Sequence, residues 1–156
     1  MSIKHFNIVL VHPEIPQNTG NIGRLCVNTE SRLHLIKPLG FSLDDKYLKR
    51  AGLDYWKHLD WTVYEDVSEF LTLNKSSSLY YFSTKGGKKY WDCPYEKGSF
   101  LVFGNETSGF PKEFYRKYAE EMFTIPMPGK HARSMNLANA VAVALYEGIR
   151  KLNNEY

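Results

Sequence analysis

The 156-residue sequence has few of the features that mark several large classes of protein. Its two cysteines, Cys26 and Cys93, lie far apart and form no CxxC pair, so nothing suggests a disulfide scaffold and we expect reduced thiols. The longest apolar runs, such as residues 8–11, are far too short to span a bilayer. No signal-peptide core lies near Met1, and we therefore expect a cytoplasmic protein without a membrane partner.

Clustered metal ligands are also missing from the sequence. The five histidines are scattered and show no metal-binding spacing, so we expect no metal site: His5, His12, His34, His58 and His131. The net charge is only +3, which permits a nucleic-acid partner without requiring one. Two groups of cations interrupt glycine-rich loops, where cations more often contact a ligand. These groups are Lys85 with Lys88 and Lys89, and Lys130 with His131 and Arg133.

What the sequence does contain is a regular alternation of strand-like and helix-like segments. The predicted strands cover residues 6–11, 33–36, 62–64, 79–83, 100–103 and 122–125. The predicted helices cover residues 21–29, 44–51, 68–73, 111–120 and 134–152. Strands separated by helices predict an α/β fold, with helices on both faces of an open parallel sheet. No linker rich in proline, glycine or serine divides the chain, so we expect one domain over residues 1–156.

The last predicted helix is apolar on nearly every side of its first half. A helix that is apolar all round is buried all round, and in so small a domain this favours a second subunit that covers part of it. A central helix packed wholly within one monomer is the alternative. Ser134 is a natural N-cap for this helix. Asn136 and Asn139 are costly in such surroundings unless their amides are hydrogen-bonded, and we take that mismatch as a hint of function.

Three loops follow predicted strands, where open α/β sheets bind ligands. The first, residues 13–24, places Asn18 and Arg24 near a helix start, suited to an anion or a ribose-phosphate, although Asn18 or Thr19 could instead cap the helix. The second, residues 104–111, has glycines that let the backbone turn sharply, and its Glu106 either accepts bonds from loop amides, which we favour, or contacts the ligand. The third, residues 126–139, is closed by a helix N-terminus, which favours an electron-rich partner.

Together these loops resemble the signature motifs of the SPOUT superfamily of S-adenosylmethionine-dependent RNA methyltransferases. The matching stretches are PEIPQNTGNIGR at 13–24, FGNETSGFP at 103–111, and IPM with SMNLAN within 125–139. Residues 33–41 and 52–55 narrow the resemblance to the compact branch that 2′-O-methylates the wobble nucleotide of tRNA. The resemblance implies a deep C-terminal trefoil knot, a homodimer, S-adenosylmethionine as cofactor with S-adenosylhomocysteine as product, and the tRNA anticodon loop as partner.

The resemblance also implies site residues. The catalytic set is Asn18, Arg24, Ser134 and Asn136. The cofactor set is Phe82, Thr84, Gly104, Glu106, Ile125, Met127, Ser134 and Leu137. The RNA-binding set is Arg24, Lys85 and Arg133. The family pattern assigns the role of base to Arg24, but a guanidinium stays protonated, so it could instead grip a phosphate and stabilise the developing alkoxide.

Other functions compete with this interpretation. A 2′-O-methyltransferase of another RNA and a non-catalytic RNA-binding protein of the same fold are the nearest alternatives. A nicotinamide-dependent oxidoreductase is disfavoured because GxGxxG is missing and no suitable acidic residue follows about 20 residues later. A Ser–His hydrolase is remote because Ser134 has no G-x-S-x-G surroundings.

Overall fold

The computed structural model describes residues 5–44, 46–51 and 55–152. The strands are β1 (Phe6–Val11), β2 (Arg32–Ile36), β3 (Trp61–Tyr64), β4 (Leu79–Phe82), β5 (Lys88–Lys89), β6 (Ser99–Phe103) and β7 (Met122–Thr124). The helices are α1 (Pro16–Asn28), α2 (Lys46–Ala51), α3 (Val67–Leu73), α4 (Phe114–Lys117) and α5 (Leu137–Lys151). Of the motif at 52–55, residues 52–54 lie outside the described residues.

The strands form one parallel sheet in the order β3-β2-β1-β6-β4-β7-β5. At its centre β1 pairs with β6, from Phe6 against Ser99 to Leu10 against Phe103. Every residue of β6 is buried, as expected for a strand covered on both faces. The predicted parallel sheet is therefore confirmed. The edge strand β5 was missed, because two consecutive lysines carry no strand signal.

Two hydrophobic clusters lie on opposite faces of the sheet. The larger cluster includes Ile22 of α1 and Val141 of α5, and the other includes Phe70 of α3 and Phe114 of α4. The predicted arrangement of helices on both faces is thus confirmed. The two free cysteines are buried, and burial raises the pKa of the Cys26 thiol well above its ordinary range. Within the part of the chain that the structure describes, none of the helices has the length and apolarity needed to cross a bilayer.

Helix α1 begins at Pro16, five residues before the predicted start at Asn21. The two prolines and the glycine of this stretch favour a loop in the sequence. However, proline is well tolerated at the first helical position, where its missing N–H has no helical partner to lose. Asn18 and Thr19 therefore lie inside the helix, and the amide of Thr19 donates to the carbonyl of Ile15. The alternative in which Asn18 or Thr19 caps the helix is wrong.

The last two helices are shorter than predicted. Helix α4 is one turn, and a 3-10 turn at Ala119–Glu121 completes the segment predicted as a helix over residues 111–120. Helix α5 begins at Leu137 instead of Ser134, because its N-cap is Asn136, whose side chain accepts from the Asn139 amide at 3.2 Å. The prediction of Ser134 as N-cap is wrong: Ser134 lies in the preceding loop, two residues before the cap.

The order of the strands predicts where on the sheet a ligand binds. Strand β1 is followed by β2 on one side, whereas its other neighbour, β6, comes much later in the chain. Such a reversal separates the loops at the carboxyl ends of β1 and β6, and open α/β sheets bind ligands at this edge. The cavity described below lies at the same edge, on the β4 side of β6. The loops after β1 and β6, which carry two of the three motifs, lie at this edge as well.

A polar network crosses the sheet at His34, which is 3% exposed. Its Nδ1 lies 2.9 Å from the hydroxyl of Tyr64, and its Nε2 lies 2.9 Å from the side-chain oxygen of Asn7. Asn7 in turn donates to the carbonyl of Gly98. Burial lowers the pKa of His34 to about 3, and the nearby Arg32 adds to this effect. The imidazole is therefore neutral in the folded protein at physiological pH.

This neutral histidine predicts a loss of stability in mild acid. Between pH 6.5 and about 3 the unfolded chain binds a proton at His34 that the folded chain does not, so stability falls as the pH falls. We expect the free energy of unfolding to drop by about 2 kcal/mol between pH 7 and pH 5, because each pH unit in this range costs about 1.4 kcal/mol. Urea unfolding at several pH values measures the slope. An equally steep slope in the His34→Gln variant would contradict this assignment.

Candidate functional site

A cavity of about 310 Å³ lies at the carboxyl ends of β4, β6 and β7. Phe82 and Phe103 end two of these strands, and their rings stack with centroids 5.1 Å apart at the cavity wall. The eight residues predicted to bind the cofactor all line this cavity: Phe82, Thr84, Gly104, Glu106, Ile125, Met127, Ser134 and Leu137. The structure thus brings together residues that are up to 55 positions apart (82 to 137), although their contact with a cofactor stays a prediction.

The loop after β6 is closed by its own hydrogen bonds. The amides and carbonyls of Asn105 and Gly109 pair at 2.9 and 3.0 Å, while the Asn105 side chain accepts from the amides of Thr107 and Ser108. The same side chain donates to the carbonyl of His12 at 2.7 Å, which fastens this loop to the end of β1. Asn105 therefore both closes its own loop and holds it against the loop after β1.

Glycine is required at both ends of this loop. Gly109 has φ +73°, a conformation that residues with a side chain rarely adopt. At Gly104 a Cβ atom would lie 2.6 Å from the backbone of Gly109, closer than packed atoms approach. The two glycines therefore let the two ends of the loop pack directly against each other, and this contact shapes the cavity wall.

Glu106 joins this loop to the start of α1. Its carboxylate accepts from the backbone amides of Glu14 and Ile15, each at 2.8 Å, and from the side-chain amide of Asn18 at 3.3 Å. The N-cap residue Ile15 has no side-chain cap of its own, and α1 has no acidic residue in its first turn. Glu106 therefore supplies the negative charge that a helix N-terminus favours. The favoured prediction, that Glu106 accepts bonds from loop amides, is confirmed, and the amides belong to the neighbouring loop.

Asn18 and Asn136 complete a relay between all three loops. The buried Asn18 uses its nitrogen for Glu106 and its oxygen for the side chain of Asn136, at 3.2 Å. Asn136 also caps α5, so one side chain fixes the helix and contacts the first loop. The expectation that Asn136 and Asn139 lie buried on an apolar helix is wrong, since both are exposed.

The two arginines of the predicted site lie away from the cavity wall. Arg24 is exposed on α1 with its guanidinium 4.9 Å from the ring centroid of Tyr55. It follows Asn18 by six residues, which carries it about 9 Å along the helix and about 120° around it. Arg133 is exposed in the loop before α5. Within one chain, therefore, the structure joins Asn18, Asn136 and the cavity but leaves Arg24 on an outer face.

Two wall residues were not assigned to the cofactor from the sequence. Lys85 was assigned to RNA, yet it lines the cavity, and its Nζ lies 4.5 Å from the ring centroid of Tyr115. The Tyr115 hydroxyl accepts from the Phe110 amide at 3.0 Å and so braces the loop after β6. No motif contains Tyr115, and a tyrosine on a short helix gives no sequence signal for this role. The described residues hold no group of three or more histidine, cysteine or carboxylate side chains suited to a metal ion.

Three similarities to known proteins bear on this site. The model of the SpoU rRNA Methylase family matches residues 5–146. The tRNA (cytidine(34)-2′-O)-methyltransferase of Methylovorus glucosotrophus is 46% identical over 147 residues, which cover 94% of this chain and 95% of that protein. A solved structure concerned with the 2-OH methylation of C/U34 on tRNA has a TM-score of 0.91 at 41% identity, over 97% of this chain and 98% of that one.

A more distant structure shares the fold alone. The SpoU methyltransferase AviRb of Streptomyces viridochromogenes, solved with the cofactor AdoMet, has a TM-score of 0.87 at 21% identity. The match covers 99% of this chain and 63% of that one. The parallel sheet described above therefore recurs in a longer protein of low sequence similarity.

Proposed function

This chain belongs to the SpoU rRNA methylase family, and we propose that it transfers a methyl group from S-adenosylmethionine to the ribose 2′-hydroxyl of nucleotide 34 of tRNA. The nucleotide is a cytidine or a modified uridine. The observation that carries the proposal is the relay from Glu106 through Asn18 to Asn136, which ties the three motif loops together beside the cavity.

The residues of the cavity fit the proposed cofactor. Apolar side chains of Phe82, Ile125 and Leu137 and the exposed backbone of Gly104 suit an adenosine, which has flat apolar faces and a polar edge. Among the described wall residues the only side-chain charges are those of Glu106 and Lys85, which suit the zwitterionic end of the cofactor. When bound, S-adenosylmethionine supplies an electrophilic methyl group on a positively charged sulfur.

The chain has to align the acceptor and manage its proton. Methylation of O2′ would release the O–H proton, which passes to solvent, and the negative charge that develops on that oxygen would need nearby donors. Ser134 lies in the wall and presents a hydroxyl, while Arg24 presents a fixed cation. We assign the charge-stabilising role to Arg24, because a guanidinium donates hydrogen bonds and does not accept protons.

Homodimerisation is part of the proposal. One face of α5 is left uncovered, with Val143 36% and Tyr146 51% exposed, and Ile15 at the start of the neighbouring α1 is 39% exposed. Val143 and Tyr146 are the part of the apolar last helix that one chain fails to bury, and Ile15 extends this uncovered surface. We propose that a second copy placed there also brings its exposed Arg24 towards the cavity of its partner. Sedimentation at micromolar concentration should give the mass of a dimer, and a monomer mass would contradict this arrangement.

We further propose that the protein acts on tRNA in the cytoplasm and that its C-terminal segment forms the trefoil knot that the family resemblance implies. Arg24 and Arg133 are exposed cations suited to backbone phosphates, which give salt-sensitive affinity, while an unpaired anticodon nucleotide gives recognition. Raising the salt concentration should therefore weaken tRNA binding strongly and cofactor binding only slightly.

Mass spectrometry of tRNA nucleosides from cells that lack the gene tests the proposed function directly. We expect loss of ribose methylation at position 34 and its return when the wild-type gene is restored. The purified protein should also methylate the undermodified tRNA in the presence of S-adenosylmethionine. An unchanged tRNA profile with a changed profile in another RNA would favour another substrate, and an inactive protein that still binds tRNA would favour a non-catalytic role.

A further inference from the structure

Lys85 is the only cation among the described residues that line the cavity. The other charged wall residue, Glu106, already accepts three hydrogen bonds at the start of α1. No carboxylate of the described residues forms an ion pair with Lys85. The ammonium group therefore brings an uncompensated positive charge to the wall of a small cavity.

The backbone holds Lys85 in a fixed turn. Ser83 donates its amide to the carbonyl of Phe123, and its side-chain oxygen accepts from the amide of Lys85 at 3.1 Å. Its carbonyl accepts from the amide of Gly86, also at 3.1 Å. A Cβ atom at Gly86 would lie 2.4 Å from the backbone of Phe123, so the turn packs tightly against β7. Lys85 thus projects from a rigid support at the end of β4.

The Lys85 side chain also packs against an aromatic ring. Its ammonium lies 4.5 Å from the ring centroid of Tyr115, a cation–π distance, and the hydroxyl of that tyrosine is hydrogen-bonded to the Phe110 amide. Contact with a braced ring restrains a side chain that is otherwise among the most flexible. The exposed ammonium is therefore restrained beside the cavity wall.

From these observations we infer that Lys85 binds the carboxylate of the amino-acid end of S-adenosylmethionine, an inference that rests on the proposed function. The cofactor carries two positive groups, the sulfonium and the ammonium, and one negative group, the carboxylate. A fixed cation in the same cavity is repelled by the first two and attracted by the third. Lys85 therefore sets the direction in which the cofactor lies, with its amino-acid end towards the turn at residues 83–86. Binding of an RNA phosphate is the competing role for this ammonium.

A pair of ligands that differ in one group tests the inference. Decarboxylated S-adenosylmethionine keeps the adenosine, the sulfonium and the ammonium, and it lacks only the carboxylate. Calorimetry should show that Lys85→Met weakens binding of S-adenosylmethionine about tenfold, as expected for loss of a partly exposed charge-assisted hydrogen bond. The same substitution should change binding of the decarboxylated ligand less than twofold. Methionine keeps the apolar stem on Tyr115, and Lys85→Arg should restore most of the affinity.

Lys117→Met is the matched control, because Lys117 also lies over a tyrosine ring, with its Nζ 5.9 Å from the centroid of Tyr118, but is exposed and does not line the cavity. It should leave binding of both ligands unchanged. Equal losses for both ligands in Lys85→Met would overturn the inference, as would no loss for either ligand combined with weaker tRNA binding. If the wild-type protein bound neither ligand, the proposed function would fall together with the inference, so the two failures can be told apart.

Discussion

Single-turnover methyl transfer by the Arg24→Ala variant should be about a thousandfold slower than by the wild-type protein, which is the scale seen when one donor to a developing oxyanion is removed. Cofactor affinity should hardly change, because Arg24 lies on the outer face of α1, away from the cavity wall. Arg24→Lys keeps the charge but loses the planar fork of donors, so we expect it to recover only part of the rate. Quench-flow with saturating enzyme and cofactor measures the chemical step. A near-normal rate in Arg24→Ala would contradict the role proposed for this residue.

The same variant tells whether Arg24 acts on its own cavity or on that of the partner. We propose mixing Arg24→Ala with a second inactive variant, Gly104→Ala, whose added Cβ would collide with Gly109 and distort the cavity wall. If Arg24 acts across the dimer, each mixed dimer regains one complete site, so an equal mixture should recover about a quarter of the wild-type activity after subunit exchange. If Arg24 acts within its own chain, the mixture should stay inactive. The structure of one chain favours the first outcome, because Arg24 and Asn18 point about 120° apart on α1.

The second large effect is expected at Glu106. Glu106→Gln keeps the shape of the side chain but turns one oxygen into an NH₂ group. That group then faces either the amide of Glu14, or the amide of Ile15 together with the side-chain nitrogen of Asn18. The substitution removes the charge and sets a donor against a donor in a partly exposed site, so we expect the free energy of unfolding to fall by about 1 kcal/mol. Methyl transfer should fall about a hundredfold, because Asn18 and the loop after β1 lose their support.

Glu113→Gln is the control for this substitution, since Glu113 is exposed before α4 and caps nothing with its side chain. Its unfolding free energy should stay within about 0.5 kcal/mol of the wild-type value. Urea unfolding and single-turnover rates, measured on both variants, separate the loss of the Glu106 charge at the start of α1 from a general effect of removing a carboxylate. Wild-type stability in Glu106→Gln would show that the carboxylate is not what holds the start of α1.

Sequence patterns predicted the sheet well because its strands are buried apolar runs. The run at Phe100 to Phe103 needed no knowledge of its neighbours to be identified, and parallel packing explains why β6 is wholly buried. The loop after β6 and its glycines could also be predicted from the sequence, because Gly104 and Gly109 meet conformational demands that are local to the chain. The eight residues expected at the cofactor accordingly share one cavity.

What sequence patterns missed depends on contacts between distant residues. The start of α1 at Pro16 depends on a cap from Glu106, ninety positions later (16 to 106), which no local window contains. Asn136 was expected to be a buried polar residue, but it caps α5 and contacts Asn18 across 118 positions. Lys85 was assigned to RNA because it is a cation in a glycine-rich loop, and only the turn at Ser83 and the ring of Tyr115 show where that charge is held.

The contact between Glu106 and the start of α1 joins distant parts of the chain, and this affects folding during synthesis. Strand β1 acquires its second neighbour, and α1 its cap, only after residues 99–106 have left the ribosome. Until then β1 and β2 form an open edge, with unpaired backbone groups that can pair with other nascent chains. Contacts of such long sequence separation also close slowly. The interval between synthesis of β2 and synthesis of β6 is therefore the period in which the growing chain is most exposed to aggregation and has most need of a chaperone.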